Sequence, residues 1–280
     1  MKKSELNRAL AAAVRAARAA GKVMRQNLHA TKTVNLATPH DIKLELDVRC
    51  QQLIEGMLHH AFPHVALLGE EGNAGSTDAA MRWVVDPIDG TVNYAYGIPH
   101  AAVSIALQER SSRCQAPGVR SKQHFTHHAS RITDYQTVLG VIYDPFQDEL
   151  WTALCGEPAR CNGRVIHVSH RAQLSEAMVA IGFAKTQANL RQFLPYFGAL
   201  ARRVCKVRMM GSAALALTYV AMGRLDAYVE RRINLWDFAA VALIIEQAGG
   251  AFWCEPAPGH LKFRMVASNG RLARRIAKPR

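Results

Sequence analysis

Trp83-Val84-Val85-Asp86-Pro87-Ile88-Asp89-Gly90-Thr91 is the stretch on which the reading of the fold turns. Three apolar residues read as a buried strand, and Asp86-Pro87-Ile88-Asp89-Gly90 ends it sharply. Pro87 holds Asp86 in extended backbone geometry and opens a tight turn, which swings Asp89 back beside Asp86 and aims the Ile88 carbonyl inward. Gly90 and Thr91 follow with backbone N–H groups at a turn or helix start, the geometry that cradles an anion. The same residues also make an ordinary hydrogen-bonded turn, since Asp, Pro and Gly are all common there. Both readings stand at this point.

Upstream, apolar spacing predicts helices at about 5–28 and 47–60 and a short strand from Val65 to Leu68 running into Gly69-Glu70-Glu71-Gly72. In the first helix Leu10, Val14, Ala17, Gly21, Met24 and Leu28 form the expected buried stripe. Downstream, strands at 101–108, 138–143 and 150–155 form an antiparallel meander, with a hairpin turn at Tyr143-Asp144-Pro145. Further strands are expected at 164–168, 178–183 and 206–210. A helix over 212–222 ends at Gly223, a strand covers Leu225 to Glu230, and a helix from Asp237 to Ala248 is closed by Gly249-Gly250. Strands at about 250–254 and 263–268 complete the pattern. The whole reads as one α+β domain over 1–270, interrupted at 110–136 by a basic His/Ser/Gln-rich insertion and followed by a basic tail, 271–280. Trp151, Trp253 and Met209-Met210 read as core.

The 280 residues are 49% hydrophobic and 20% charged, which fits a packed globular chain. Arg15, Arg18 and Lys22 break the alanine-rich start, so neither a bilayer crossing nor a signal-peptide core is expected. Six cysteines, none in a C-x-x-C pair, argue against a zinc site or a disulfide framework and point to a reducing cytoplasm. The net charge of +13 is concentrated: 110–136 carries +4 and 271–280 carries +5. Non-specific polyanion or RNA contact is therefore expected there, and the rest of the chain is only mildly basic. His124, His127 and His128 read as solvated residues of the insertion.

Glu70, Asp86, Asp89 and Asp237 lie where a strand or loop feeds a turn or helix. Carboxylates in such numbers, with no competing His/Cys spacing, suit a hard cation, and Mg2+ is the natural candidate. Asp237 is open to a second reading as a helix N-cap.

Three motifs in order, Gly69-Glu70-Glu71, Trp83 to Tyr94, and Trp236-Asp237-Phe238-Ala239-Ala240, resemble the inositol monophosphatase family. Supporting stretches include Gly97 to Leu107, Gly140 to Pro145, Cys161-Asn162-Gly163 and Gly211 to Leu215, so the resemblance runs from about 8 to about 270. It implies a layered α/β/α/β/α fold, a homodimer, and lithium-sensitive hydrolysis of phosphate monoesters with two or three Mg2+ ions. By matching position it makes Glu70, Asp86, the Ile88 carbonyl, Asp89 and Asp237 metal ligands and places Asp47 near a further ion. It has Thr91 hold the attacking water with Glu70, and Asp89, Gly90, Thr91, Ala213 and Glu230 meet the substrate. Inositol monophosphate is the expected substrate. Related phosphatases of histidinol phosphate, a nucleotide 3′-phosphate or a sugar bisphosphate, and an RNA- or protein-binding regulatory factor on the same fold, are the alternatives. Three departures stand out: Leu44 where the family has threonine, Gly156-Glu157-Pro158-Ala159 in place of a Gly-x-Gly-Ala loop, and the insertion.

Overall fold

The alanine-rich start forms a long helix, α1 (Lys3–Asn27), because alanine has the best helix propensity and no bulk to restrict packing. In the computed structural model, which describes residues 1–38, 41–76, 78–110, 134–182, 187–276 and 278, this helix buries Ala9, Ala12, Ala13, Ala16, Ala17, Ala20, Gly21 and Met24. The expected stripe is thus shifted: Leu10 and Val14 are half-buried flanks, and the small residues face inward. Their smallness lets the helix lie close to the sheet beneath it. A Cβ on Gly21 would fall 2.5 Å from Tyr143 Cε1.

A hairpin of β1 (Val34–Thr38) and β2 (Asp41–Leu44) leads into α2 (Glu45–Ala61). Then come β3 (Ala66–Gly69), β4 (Gly72–Ala74), β5 (Met81–Asp89), a short helix α3 (Thr91–Ala95), β6 (Ala102–Arg110), β7 (Tyr135–Asp144), β8 (Glu149–Leu154), β9 (Arg160–Cys161) and β10 (Arg164–Val165). The second half contains β11 (Met178–Gly182), α4 (Gln187–Ala201), β12 (Lys206–Arg208), α5 (Ala213–Ala221), β13 (Ala227–Asn234), α6 (Leu235–Gln247), β14 (Ala251–Pro256) and β15 (Lys262–Ser268).

The strands form an eight-stranded sheet in the order β10-β9-β8-β7-β6-β5-β3-β4 and a five-stranded sheet in the order β12-β11-β13-β15-β14. The expected meander is β6-β7-β8, part of an antiparallel run that extends from β5 to β10, and the one parallel pairing in that sheet among the described residues is β3 against β5. Strand β5 alternates faces: Trp83 and Val85 pack with α1 and α2, while Val84 packs with α5 and α6. Both faces are covered, which is why the strand reads as an unbroken apolar run. The α5–α6 layer lies between the two sheets, and Phe193 and Leu200 of α4 cover the outer face of the second. The layers therefore run α/β/α/β/α. Helix α6 is buried on all sides from Phe238 to Ile245, as its unbroken apolar sequence demands.

Several local expectations fail. The strand at 164–168 shrinks to Arg164–Val165, and that at 206–210 stops at Arg208, leaving Met209 60% exposed and outside the core. Helix α4 was not anticipated, because Pro195 lies inside it. The stretch read as a basic tail packs Leu272, Ala273 and Ile276 into the fold while Arg271, Arg274 and Arg275 stay exposed. Residues 111–133, most of the insertion with His124, His127 and His128, lie outside the described residues. Among the described residues no helix is long and apolar enough to cross a membrane.

Candidate metal centre

Proline has no N–H to give a ladder, and β5 shows the consequence at Pro87. Asp86 stands opposite Ser104 of β6, but Asp89 stands opposite Ala102, so one extra residue is bulged into β5. The Ile88 N–H, freed from the ladder, donates to Asp86 Oδ1 at 3.0 Å. A regular strand would place residues 86 and 89 on opposite faces, and the bulge brings them to one side. The turn expected at Pro87 comes later, at Gly90, whose φ of +99 starts α3. A Cβ there would sit 3.0 Å from the His100 carbonyl oxygen and 3.2 Å from Ser212 Cβ, so glycine is required by both conformation and space.

Asp89 points at the start of α5. Its Oδ2 accepts from the Ser212 hydroxyl and from the Ala214 N–H at 2.9 Å, and its Oδ1 from the Ala213 N–H at 3.2 Å. Ser212 is the N-cap of that helix, and its Oγ also accepts from the Leu215 N–H at 3.3 Å. Asn93 of α3 donates from Nδ2 to the carbonyls of His100 and Met210, both at 2.9 Å, and so ties α3 to the loop before α5.

Asp237 arrives on α6. It is the third residue of the helix, not the N-cap that the sequence left open; Asn234 caps, and its N–H and Nδ2 donate to Asp237 Oδ2 at 3.0 and 3.3 Å. The height of α6 over the first sheet is set by Gly140, where a Cβ would lie 2.3 Å from the Ala240 carbonyl oxygen, and by Ser104, whose hydroxyl donates to the Trp236 carbonyl at 3.1 Å. Carboxylate oxygens of Asp86, Asp89 and Asp237 thereby come within 4.8 Å of one another.

Glu70 follows β3, its N–H bonded to the Val85 carbonyl at 3.2 Å. The turn after it is organised by Gln51 of α2, which accepts from the Glu71 N–H at 2.9 Å and donates to the Gly72 carbonyl at 3.0 Å. Burial, then the Glu70, Asp89, Asp237 and Asp47 carboxylates, push Asp86 well above the usual carboxylate range. Burial, then Glu70 and Asp89, do the same to Asp237. Asp89 is pushed up to about 6 by burial, against the pull of the Ser212 hydroxyl and the two α5 N–H groups. Asp47 is buried in the first turn of α2, with Oδ2 accepting from the Leu44 N–H at 2.7 Å.

Thr91 and Ala213, like the aspartates, already have protein partners. The Thr91 hydroxyl donates to the Ile88 carbonyl at 2.9 Å, and the Ala213 N–H serves Asp89. Glu230 lies on β13 beside Gly182 of β11, where a Cβ would meet its carboxylate at 2.5 Å. Burial raises it to about 7, while the Tyr228 phenol, which donates to Oε2, and the Lys262 ammonium pull the other way. Ser212, Gln51, Asn234 and Tyr228 were not anticipated as site residues. Ser212 and Asn234 carried a signal, each an N-cap residue type just before an apolar helix.

All three aspartates resist ionisation because they are buried, and Asp86 and Asp237 also because they face other carboxylates, so a positive charge placed among them would be favoured. The donor set is all oxygen. The site therefore fits a hard divalent cation.

The sequence model of the inositol monophosphatase family matches residues 5–114 and 119–280. A protein of Xylella fastidiosa named Nus factor SuhB is 36% identical over 240 residues, covering 85% of this chain and 78% of that protein. An inositol-1-monophosphatase of Rhizobium meliloti is 36% identical over 228 residues, covering 81% and 76%. Among solved structures, the extragenic suppressor protein suhB of Bartonella henselae aligns with a TM-score of 0.80 at 30% identity over 95% of both chains. The inositol monophosphatase of Anabaena aligns with a TM-score of 0.74 at 31% identity, covering 95% of this chain and 92% of that one.

Proposed function

The chain belongs to the inositol monophosphatase family, and from that premise we propose that it is a Mg2+-dependent phosphoric monoester hydrolase acting on inositol monophosphate. The observation that carries the reading is the meeting of Asp86, Asp89 and Asp237, from β5 and α6, within 4.8 Å. Glu70, Asp86, the Ile88 carbonyl, Asp89 and Asp237 would hold two or three Mg2+ ions, with Asp47 near the last. Bound Mg2+ supplies Lewis acidity, lowering the pKa of a water and offsetting charge on the phosphoryl and leaving oxygens.

The chain's own groups do the rest. Glu70 and Thr91 orient the attacking water; the Thr91 hydroxyl, already donating to Ile88, has lone pairs left to accept from it. The Gly90 and Thr91 N–H groups hold phosphate oxygens as α3 begins. Ala213 and Glu230 meet the alcohol, Glu230 accepting from its hydroxyls. The water oxygen bonds to phosphorus as the bond from phosphorus to the alcohol oxygen breaks; the water gives up one proton and the leaving alkoxide takes one, giving the alcohol and inorganic phosphate. No covalent phosphoenzyme is needed.

The same reading takes 1–270 as one catalytic unit carrying the 110–136 insertion, and it includes lithium inhibition, a homodimer and a cytoplasmic setting. The test is phosphate release by the purified protein from inositol monophosphate, histidinol phosphate, a nucleotide 3′-phosphate and a sugar bisphosphate, with Mg2+ and with or without Li+. Fastest Mg2+-dependent release from inositol monophosphate supports the proposal. No Mg2+-dependent release from any of them would refute it.

One observation favours a second role: relatives 36% identical carry the name Nus factor. The basic residues of 110–136 and 271–280 would supply an RNA or protein contact. Leu272 and Ile276 are core, so the tail is better tested by Arg271, Arg274 and Arg275 to Gln than by deletion. RNA affinity unchanged across a salt titration in that triple variant, and again on removing 111–133, would rule out these surfaces.

A further inference from the structure

We propose that Lys262 is a positioning residue for the acidic centre, acting through Asn234 on Asp237. Lys262 opens β15 directly opposite Asn234 in the antiparallel ladder with β13. Its ammonium donates to Asn234 Oδ1. An ammonium can only donate, so the amide must turn its oxygen to Lys262 and its NH2 to the other side. On that other side lies Asp237, whose Oδ2 takes both the Asn234 Nδ2–H at 3.3 Å and the Asn234 N–H at 3.0 Å.

The chain of bonds has one direction. With its amide oxygen released, Asn234 could rotate and present oxygen to a carboxylate, and Asp237 would lose one of the two bonds that fix its plane. With Lys262 in place, Oδ2 is committed to the helix cap while Oδ1 accepts from no described group, and the carboxylate so held has an oxygen within 4.8 Å of oxygens of Asp86 and Asp89. Room for the lysine stem is built in. Gly259, at a φ of +116, leaves space that a Cβ would fill at 3.3 Å from Lys262 Cγ and 3.5 Å from Cδ. Loss of an outer group that fixes the orientation of a metal ligand typically costs about 10–100-fold in metal affinity.

Electrostatics alone argues the opposite sign. A cation beside a divalent site repels the incoming ion, so deleting its charge should tighten metal binding. Positioning argues that deleting it should loosen binding. The two effects are separable by one measurement.

The inference rests on the metal-dependent reading above, and the test is arranged to tell the two apart. Metal-free wild type, Lys262→Met and Lys262→Arg are titrated with Mn2+ alone by calorimetry, without substrate, with circular dichroism and metal-free melting as controls for folding. Methionine keeps the apolar stem and removes every donor; arginine restores donors. Positioning predicts an Mn2+ Kd raised about tenfold in Lys262→Met, and one near wild type in Lys262→Arg. Binding by Lys262→Met as tight as wild type or tighter, or Lys262→Arg as weak as Lys262→Met, overturns it. Should Lys262→Met not fold, Asn234→Ser breaks the same link from the other end while keeping a capping hydroxyl, and the same loss is expected. Wild type that takes up no Mn2+ defeats the metal reading itself, and the positioning role with it.

Discussion

Ser212→Ala tests how the acidic centre is held open. The serine hydroxyl donates to Asp89 Oδ2 and accepts from the Leu215 N–H, so the substitution removes a charge-assisted bond and a helix cap together. The cap contributes about 1 kcal/mol at any pH. The bond to Asp89 contributes about 2 kcal/mol, and only while Asp89 is ionised. Asp89 is raised to about 6 in the folded chain, above its unfolded value. Its favourable contribution to stability is therefore full below the unfolded value and lost as pH rises through 6. Ser212 moderates that loss, and without it Asp89 holds its proton about 1.5 pH units further, since about 1.4 kcal/mol corresponds to one unit. The variant should thus be destabilised by about 1 kcal/mol at pH 5 and about 3 kcal/mol at pH 8. Urea unfolding in EDTA measures both. In the same variant the acid limb of Mg2+-dependent phosphate release should move up by about 1.5 pH units. An equal penalty at both pH values, with an unmoved acid limb, would show that Asp89 does not titrate as its surroundings require.

Asp237→Asn should reduce phosphate release by orders of magnitude yet raise the melting temperature of the metal-free protein, because a buried like charge is gone; near wild-type release would remove Asp237 from the site. Gly90→Ala should cost roughly 1–3 kcal/mol and slow phosphate release, since its φ is +99 and the new Cβ meets the His100 carbonyl at 3.0 Å; unfolding curves and initial rates check both. Gly140→Ala, with its Cβ 2.3 Å from the Ala240 carbonyl oxygen, should displace α6 and weaken Mg2+ activation, and a variant with the wild-type response to Mg2+ would contradict that. Mg2+ at about 100 times its Kd at pH 8 should stabilise the protein at that pH by about 2.7 kcal/mol, and the same concentration is then used at pH 5.5. The gain should be smaller at pH 5.5 than at pH 8, because protons compete for Asp86, Asp89 and Asp237 below their raised pKa values; scanning calorimetry at the two pH values measures it.

What the sequence made legible was whatever is encoded within a dozen residues. The apolar runs of β5 to β8 and of α5 and α6 identify themselves by composition, and Asp-Pro-Ile-Asp-Gly announces a break whichever way it is read. Helix α4 hid behind Pro195, and the inner face of α1 hid behind alanine, which a search for large apolar side chains passes over in favour of Leu10 and Val14. Met209 shows the converse error, since an apolar side chain is not by itself a buried one. At the site, the carboxylates were visible and their keepers were not. Ser212 means nothing to Asp89 until a contact across 123 residues exists, and no local pattern encodes that distance.

The division has a physical cause. Carboxylates gathered without a cation oppose folding, as the raised pKa values of Asp86, Asp89 and Asp237 show, so the stability that holds them must come from elsewhere. It comes from the α5–α6 layer, buried on both sides between the sheets, and from the α1–α2 layer behind β5. Each acidic residue then needs only one local device to turn it inward: a bulge at Pro87 for Asp86 and Asp89, a cap at Asn234 for Asp237. The rigid layers fix where the devices sit, and the devices fix where the oxygens point. A chain so arranged is stable enough to keep its acids together before any ion arrives, and the repulsion left among them is the free energy that favours binding one.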